Sequence, residues 1–251
     1  MNNEKTAQKS SLKRCLRMAL TVFLLVGTLT KLSQAQEKIT DYIVPTVLIT
    51  IGTIGVYNTA MNDWKKNIKK GFSNLRGDRY LHFDDYVQYM PVTYFAVGEY
   101  VGTPPAHNIN ERALLGCTAA ILATTLVQGT KFLVGEPRPD TRAHTSFPSG
   151  HTATAFMGAE LVRLSYGNWV GLGAYTMATG IAFLRMYNER HWLNDVLAGA
   201  GIGIISANLA LLLLPWEKSW FKHKKKNNAD LSLMPYCGPR NTVGLAANIR
   251  F

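Results

Sequence analysis

Apolar stretches alternate with short, densely charged ones along this chain, and that alternation constrains its fold more than any other feature. The apolar stretches are residues 43–57, 113–128, 152–164, 169–184 and 196–214. Lysines and arginines cluster between or after them, at 65–79 and 218–226. A bilayer imposes this pattern, because a spanning helix needs about 20 residues with few charges. The sequence therefore predicts an all-α, polytopic transmembrane helical bundle.

The formal net charge of +11 raises the question of which anionic partner the chain meets. No zinc-ligand spacing and no strip of interleaved basic and aromatic residues is present, so the charge does not indicate a nucleic-acid-binding protein. Basic loops beside apolar helices instead favour the anionic headgroups of membrane lipids as neighbours. The sequence does not indicate an oligomeric state.

Residues 1–35 have the pattern of a secretory signal peptide. Basic residues between Lys5 and Arg17 precede the apolar run 19–29, and the small residues Ser33 and Ala35 offer a cleavage point. An uncleaved signal anchor is the alternative. Either interpretation predicts insertion into, or export across, a bacterial inner membrane.

The remaining chain divides into three parts. Residues 36–112 hold a membrane helix, a basic loop and an interfacial helix, and residues 113–215 form the core that carries the chemistry. Residues 216–251 are a basic linker and a tail, in which alternating apolar residues around turn-forming Pro and Gly indicate a short β-hairpin.

The distribution of positive charge predicts the orientation. Residues 86–101 are only half apolar, so we expect them to lie at the membrane interface without spanning it. The basic stretches 65–79 and 218–226 then both face the cytoplasm, in agreement with the positive-inside rule. The ends of the helices that carry the motifs described next would face the periplasm. A spanning segment at 86–101 would reverse this orientation.

Three short clusters stand in order in the core. They are Lys131 to Arg138-Pro139, then Pro148-Ser149-Gly150-His151, then Arg185, His191 and Asp195. Cations and a helix N-terminus that begins with a small-residue turn are the groups that bind phosphate oxygens. Taken singly, each cluster also fits a structural role, such as a snorkelling lysine, a helix cap or an ion pair within a helix. Their occurrence together at the same ends of successive apolar helices favours a phosphate site.

The two histidines suit transfer of a phosphoryl group. His191 and Asp195 are four residues apart and share one face of a helical turn, so the carboxylate can hold one ring nitrogen while the other attacks phosphorus. His151 remains as the acid for the leaving oxygen and, in reverse, as the base that activates water. The clusters lack the carboxylate set typical of a magnesium site, so we expect neither metal nor cofactor.

The spacing of these clusters resembles the type 2 phosphatidic acid phosphatase family, to which vanadium haloperoxidases are related. Six residues separate Lys131 from Arg138, five separate Arg185 from His191, and three more precede Asp195; the resemblance covers roughly 113–215. It implies a helical bundle with the site at the ends of its core helices. It also implies His191 as nucleophile, Asp195 as its orienting partner and His151 as acid/base. The phosphate-binding residues it implies are Lys131, Arg138, Ser149, Gly150 and Arg185.

One position departs from the pattern of this family, which usually has Ser or another small residue where this chain has Leu184. We expect an altered pocket wall there, because Leu184 takes none of the principal roles. The related haloperoxidases are typically soluble, so the apolar stretches argue against that activity.

The resemblance implies a membrane lipid phosphatase whose site faces the periplasm. Candidate substrates are lipid A, undecaprenyl diphosphate, phosphatidylglycerophosphate and phosphatidic acid, and the exported leader slightly favours lipid A. Two other hypotheses stay open. One is a non-catalytic protein that binds or transports a phospholipid, and the other is a lipid phosphotransferase that uses the same site.

Overall fold

The computed structural model describes residues 40–141, 143–226, 230–238 and 242–250. The predicted signal segment 1–35 lies outside these residues. The helices are α1 (Thr40–Tyr57), α2 (Thr59–Arg76), α3 (Asp84–Val87), α4 (Met90–Val97), a 3₁₀ turn (Gly98–Val101), α5 (Ile109–Val134), α6 (Gly150–Tyr166), α7 (Asn168–Tyr187) and α8 (Leu193–Lys226). The strands are β1 (Asp230–Gly238) and β2 (Thr242–Arg250). The predicted helical bundle is confirmed.

Local sequence sets the ends of the helices that carry the three clusters. Asn108 and Glu111 form a reciprocal capping box at the start of α5, and Gly135 ends that helix with a left-handed φ of 62°. Ser149 caps α6, because its side-chain oxygen accepts from the backbone N–H of Thr152. These signals place Lys131 in the last turn of α5 and His151 in the first turn of α6.

The core lies between α4, α5, α6 and α7 and continues onto α8 as far as Leu211. It is built largely of alanine and medium-sized apolar side chains, such as Leu115, Leu161 and Ile181, which are almost completely buried. Small residues let α8 approach α6 closely. A Cβ atom at Gly203 would lie 2.3 Å from the carbonyl oxygen of Ala153, so only glycine fits there.

Two described helices, Ile109–Val134 and the Leu193–Trp220 part of α8, are long and apolar enough to cross a membrane. The helices Asp41–Tyr57 and Met61–Arg76 meet at a bend of 99°. Counted together as one interrupted span, they would give a third candidate. The predicted spans at 152–164 and 169–184 are helical, as α6 and α7, but they do not meet the same measure of length and apolarity.

The predicted interfacial segment 86–101 is not one continuous helix. It comprises the end of α3, the eight-residue α4 with Pro91 in its first turn, and the 3₁₀ turn that begins at Gly98. Eight helical residues rise about 12 Å, far less than the thickness of a bilayer core. No single helix in this segment is therefore long enough to span a bilayer core.

The basic stretch 65–79 lies at the same end of the bundle as the three clusters. Lys65 of α2 is buried and its Nζ lies 2.9 Å from Oε1 of Glu136, which precedes Arg138 by two residues. Farther along, Lys69 and Arg76 pair with Glu189 at 3.5 and 3.3 Å. The prediction that this stretch and the clusters face opposite sides of the membrane is therefore wrong. The positive-inside rule concerns charges in free loops, whereas these cations are paired within the fold.

The tail forms the predicted hairpin. Strand β1 pairs with β2 in antiparallel register, from Asp230 opposite Arg250 to Gly238 opposite Thr242. The alternation of apolar residues in the sequence anticipated both strands, because side chains of a strand point alternately to its two faces.

Filling the close approach of α6 and α8 should destabilise the protein. We expect Gly203→Ala to lower the free energy of unfolding by roughly 1–3 kcal/mol, the usual cost of overpacking, because its Cβ has no room beside Ala153. Gly173→Ala on α7 is the matched control, since no atom lies within 4 Å of its added Cβ. Thermal unfolding in detergent measures both. A Gly203→Ala variant as stable as the control would contradict this packing.

The buried carboxyl of Glu136 should make stability depend on pH. Burial raises the pKa of Glu136 to about 8, and nearby Asp195 adds to this effect while Lys65 opposes it. The folded protein therefore holds this proton more tightly than the unfolded chain does. Its stabilising contribution is complete below about pH 4.5 and is lost as the pH rises through about 8.

Replacing this carboxyl should flatten the pH dependence. We expect the free energy of unfolding of Glu136→Gln to fall less than that of the wild type between about pH 4.5 and about pH 8. Denaturant titrations at several pH values measure this difference. Asp63→Asn is the control: this carboxyl is exposed and lies on α2, the helix that carries Lys65, so its loss should leave the profile unchanged. Parallel profiles for Glu136→Gln and wild type would show that Glu136 does not titrate in this range.

Candidate active site

The three predicted clusters meet where the end of α5, the start of α6, the end of α7 and the start of α8 come together. The backbone N–H of Ser149 donates to the carbonyl oxygen of Asp195 at 3.0 Å, which joins the second cluster to the third. The side chain of Ser146, in the same loop, donates to the Asp195 carboxylate. The structure thus brings together residues that the sequence separates by more than 40 positions.

Asp195 and His191 form the predicted pair at the start of α8. Both side chains are buried, and Nδ1 of His191 lies 3.5 Å from Oδ2 of Asp195. This distance is longer than a direct hydrogen bond, and contacts of this kind often tighten only when substrate binds. The carboxylate itself is fixed by the backbone N–H of Trp192, at 2.8 Å, and by Nδ2 of Asn194, at 3.1 Å.

The surroundings of His191 keep its ring neutral. Burial lowers the pKa of His191 well below its ordinary value, and the positive charges of Arg185, Lys131 and Arg138 lower it further. A neutral imidazole keeps a lone pair on the nitrogen that does not carry the proton. With Nδ1 facing Asp195, the nitrogen that keeps the lone pair is Nε2.

The cations of the site have donors without partners. Among the described residues, Nε of Arg138 and Nε of Arg185 are buried and have no hydrogen-bond acceptor. Lys131 is only partly engaged, through a bond of 2.6 Å from Nζ to the carbonyl oxygen of Thr145. Unsatisfied buried donors are rare and costly in folded proteins. Their convergence here fits a site that an anion completes.

The turn before α6 contributes less to phosphate binding than its sequence indicates. The backbone N–H of Ser149 is occupied by Asp195, and the Ser149 hydroxyl accepts from Oγ1 of Thr152 at 3.0 Å. The backbone N–H of Ser149 is therefore not available to a bound phosphate. The Ser149 hydroxyl proton and the N–H groups at the start of the helix, including that of Gly150, are still placed to donate, because first-turn N–H groups have no partner within a helix.

His151 lies in the first turn of α6 and contacts a carboxylate that the sequence analysis missed. Its Nε2 lies 2.8 Å from Oδ1 of Asp85, in α3. Burial and the charge of Arg185 lower the pKa of His151, while Asp85 acts in the opposite direction. The ring is half-buried, so it can exchange protons with a bound group.

Two further sets of residues join the site from outside the clusters. Asp84 and Asp85 approach Nη1 of Arg185, at 2.6 and 3.2 Å. Behind Asp195, Asn194 donates to Glu136, which also binds Lys65. The sequence analysis named neither Asp84 nor Asp85; their adjacency, just before the half-apolar segment 86–101, is the signal that could have found them. Within the part of the chain that the structure describes, no three His, Cys, Asp or Glu side chains are grouped as metal ligands.

A cavity of about 420 Å³ opens beside His151. Side chains of α4, α5 and α6 line it, and most of them are apolar, such as Val92, Val127 and Met157. The cavity therefore joins a charged centre to an apolar surface, an arrangement suited to an amphipathic ligand. Leu184, which departs from the expected pattern, is half-buried in α7.

Comparison with known proteins gives similar sequences and folds. A segment of 87 residues is 45% identical to the lipid A 1-phosphatase of Porphyromonas gingivalis; this is 34% of the present chain and 20% of that protein. The chain thus spans about a fifth of the length of the curated relative it matches.

Two crystal structures are similar to this fold. LpxE of Aquifex aeolicus shares 24% identity with a TM-score of 0.44, over 57% of this chain and 93% of the other. The PAP2-type phosphatidylglycerolphosphate phosphatase of Bacillus subtilis shares 18% identity with a TM-score of 0.47, over 74% of this chain and 99% of the other.

The family comparison covers the part of the chain in which all three clusters lie. Residues 112–219 match the PAP2 superfamily. They begin at Arg112 in the first turn of α5 and end in α8, so they include α6, α7 and the loops that build the site. Over these residues, this chain is similar to the PAP2 superfamily.

Proposed function

We propose that this protein hydrolyses a phosphate monoester or diphosphate on a membrane lipid through a phosphohistidine intermediate. The observation that carries the proposal is the placement of His191: its Nδ1 faces Asp195, and the charges of Lys131, Arg138 and Arg185 act on its ring. The unpartnered Nε donors of the two arginines support a phosphate between them and the histidine.

The first step transfers phosphorus to the protein. Nε2 of His191 attacks the phosphorus atom and forms a P–N bond while the bond from phosphorus to the lipid oxygen breaks. His151 donates its proton to that leaving oxygen, which becomes a hydroxyl or a shorter phosphate. Asp195 stabilises the positive charge that develops on the His191 ring, and the three cations stabilise the charge on the equatorial oxygens.

The second step regenerates the site. His151, now neutral, accepts a proton from a water molecule whose oxygen attacks the phosphorus of the phosphohistidine. The P–N bond breaks, inorganic phosphate forms, and the electron pair returns to Nε2 of His191. Both histidines then have their starting protonation states, so the cycle needs neither a metal nor a redox cofactor.

The apolar cavity and the relative identified by sequence support a lipid substrate. The cavity of about 420 Å³ beside His151 has room for part of an alkyl chain or a lipid backbone next to the acid. Because a segment of the chain is 45% identical to a lipid A 1-phosphatase, we place lipid A first among the candidates. Undecaprenyl diphosphate, phosphatidylglycerophosphate and phosphatidic acid follow.

We place the protein in the inner membrane as a multi-pass protein, with this site facing the periplasm. Of the two charge arguments for that orientation, the pairing of Lys65, Lys69 and Arg76 removes the first. The lysines of 218–226 and the signal-like residues 1–35 still support it, because basic segments that follow a membrane helix are retained in the cytoplasm.

Phosphate release should depend on His191. We expect the purified, detergent-solubilised protein to release phosphate, in the presence of EDTA, from one of the four candidate lipids named above. We expect His191→Ala to lower that rate by at least about 10³-fold, because the nucleophile is lost. His191→Ala should still bind the lipid phosphate, since the three cations remain.

The control for this experiment is His107→Ala, in the loop before α5, which should keep the parent rate. Near-parent activity in His191→Ala would remove His191 as the nucleophile. Binding without turnover by folded wild-type protein would favour a lipid-binding or transport role. Formation of a phosphorylated lipid when acceptor lipids are added would indicate phosphotransfer in place of hydrolysis.

The orientation has its own test. A reporter that works only in the cytoplasm should be active when it is fused after Phe251, because the lysines of 218–226 are expected to hold the end of the chain in the cytoplasm. Pairs of reporters that are active only in the cytoplasm or only in the periplasm measure this directly. A periplasmic signal would reverse the proposed orientation.

A further inference from the structure

Two adjacent carboxylates outside the matched family segment reach into the site. Asp84 and Asp85 occupy the first turn of α3, whereas the family match begins at Arg112. Asp84 is 2% exposed, and it lies 101 residues from the arginine that it binds. A buried carboxylate costs several kcal/mol unless it is paired, so the pairing itself holds this segment against the core.

Both carboxylates bind the same nitrogen of Arg185. Nη1 lies 2.6 Å from Oδ2 of Asp84 and 3.2 Å from Oδ1 of Asp85. Nε of Arg185 is buried and has no acceptor among the described residues. The guanidinium is therefore held by one edge, and its Nε and Nη2 edge is left for a bidentate contact with phosphate.

Asp85 also binds the proposed acid. Its Oδ1 lies 2.8 Å from Nε2 of His151, so one oxygen contacts both His151 and Arg185. Partial burial acts to raise the pKa of Asp85, but its hydrogen bond with His151 and the charge of Arg185 lower it overall. This carboxylate is ionised at neutral pH and favours the protonated form of His151.

The charged groups that face His151 come from three elements. Asp84 and Asp85 approach from α3, Arg185 from α7, and His191 from the turn before α8. Arg185 disfavours a proton on His151, and the two carboxylates favour one. Without the carboxylates, the charged group acting on His151 would be Arg185, which opposes the proton that the acid needs for the first step.

We infer that Asp84 and Asp85 are positioning residues of this site: Asp84 fixes the Arg185 guanidinium for phosphate, and Asp85 holds the His151 ring and links it to that guanidinium. The inference rests on the proposed function, since it gives these residues a task in phosphoryl transfer. With Nε2 bound to Asp85, His151 presents its other ring nitrogen, Nδ1, to the leaving oxygen.

The experiment compares Asp85→Asn, Asp85→Glu and Asp84→Asn with wild type. Asp78→Asn, an exposed acid in the preceding loop, is the matched control. We expect Asp85→Asn to lower kcat/KM at neutral pH by at least about tenfold and to move the alkaline limb of its pH profile down by at least about 0.5 pH unit, because the charge that favours protonated His151 is lost. Asp85→Glu should recover part of the rate.

Asp84→Asn should mainly change the affinity of the site for phosphate. We expect it to weaken the binding of inorganic phosphate by roughly tenfold, because the guanidinium loses the partner that fixes it. Asp85→Asn should change phosphate binding by less than about threefold. Thermal unfolding in detergent verifies that each variant is folded, and Asp84→Glu replaces Asp84→Asn if the latter does not fold.

Two results would overturn the inference. Tighter phosphate binding or faster turnover in Asp85→Asn would show that the carboxylate competes with substrate. An unshifted pH profile with an unchanged rate would show that it only stabilises the fold. If wild-type protein releases no phosphate from any lipid, the proposed function fails by itself. The pKa of His151 measured by NMR, with and without Asp85, and the affinity for inorganic phosphate still test the positioning of both side chains.

Discussion

The arrangement of this site depends on one buried carboxylate at the start of α8. Asp195 is fully buried, and it accepts hydrogen bonds from Ser146, Trp192 and Asn194 while its backbone carbonyl oxygen accepts from Ser149. Because a buried charge without partners costs several kcal/mol, the loop before α6 must lie against the start of α8 for the protein to fold. The same contacts set the position of the ring that Asp195 faces, so folding and chemistry use one set of bonds.

The second constraint is the balance of charge around that carboxylate. Lys131, Arg138 and Arg185 come from helices or loops that pack together through apolar contacts, and their mutual repulsion opposes that packing. Carboxylates from outside the family segment offset part of it, through Asp84 and Asp85 beside Arg185. What remains near His191 is a set of donors without acceptors among the described residues, Nε of Arg138 and Nε of Arg185, which the proposed phosphate substrate would complete.

Sequence patterns predicted the parts of this structure that depend on near neighbours. The capping residue Ser149, the pair His191 and Asp195, and the alternating strands of the tail follow from spacings of a few residues. The partners of the site did not follow from such spacings: Lys65 and Glu136 are 71 residues apart, and Asp84 and Arg185 are 101 apart. A long-range ion pair leaves no periodic signal, because each member looks like an ordinary surface charge in its own segment.

The failed prediction about the basic stretch has the same physical origin. The positive-inside rule treats each lysine or arginine as a free charge that resists translocation, and the composition of 65–79 satisfied it. In the folded protein Lys65 and Arg76 are buried, with Glu136 and Glu189 as their partners, and those acids lie between residues of the clusters themselves. An acid within one of these clusters therefore indicates a polar or charged partner from elsewhere in the chain, because its buried carboxyl would otherwise stay without one. The presence of Glu136 and Glu189 within the clusters therefore indicates, from sequence alone, that a basic segment such as α2 packs beside the site.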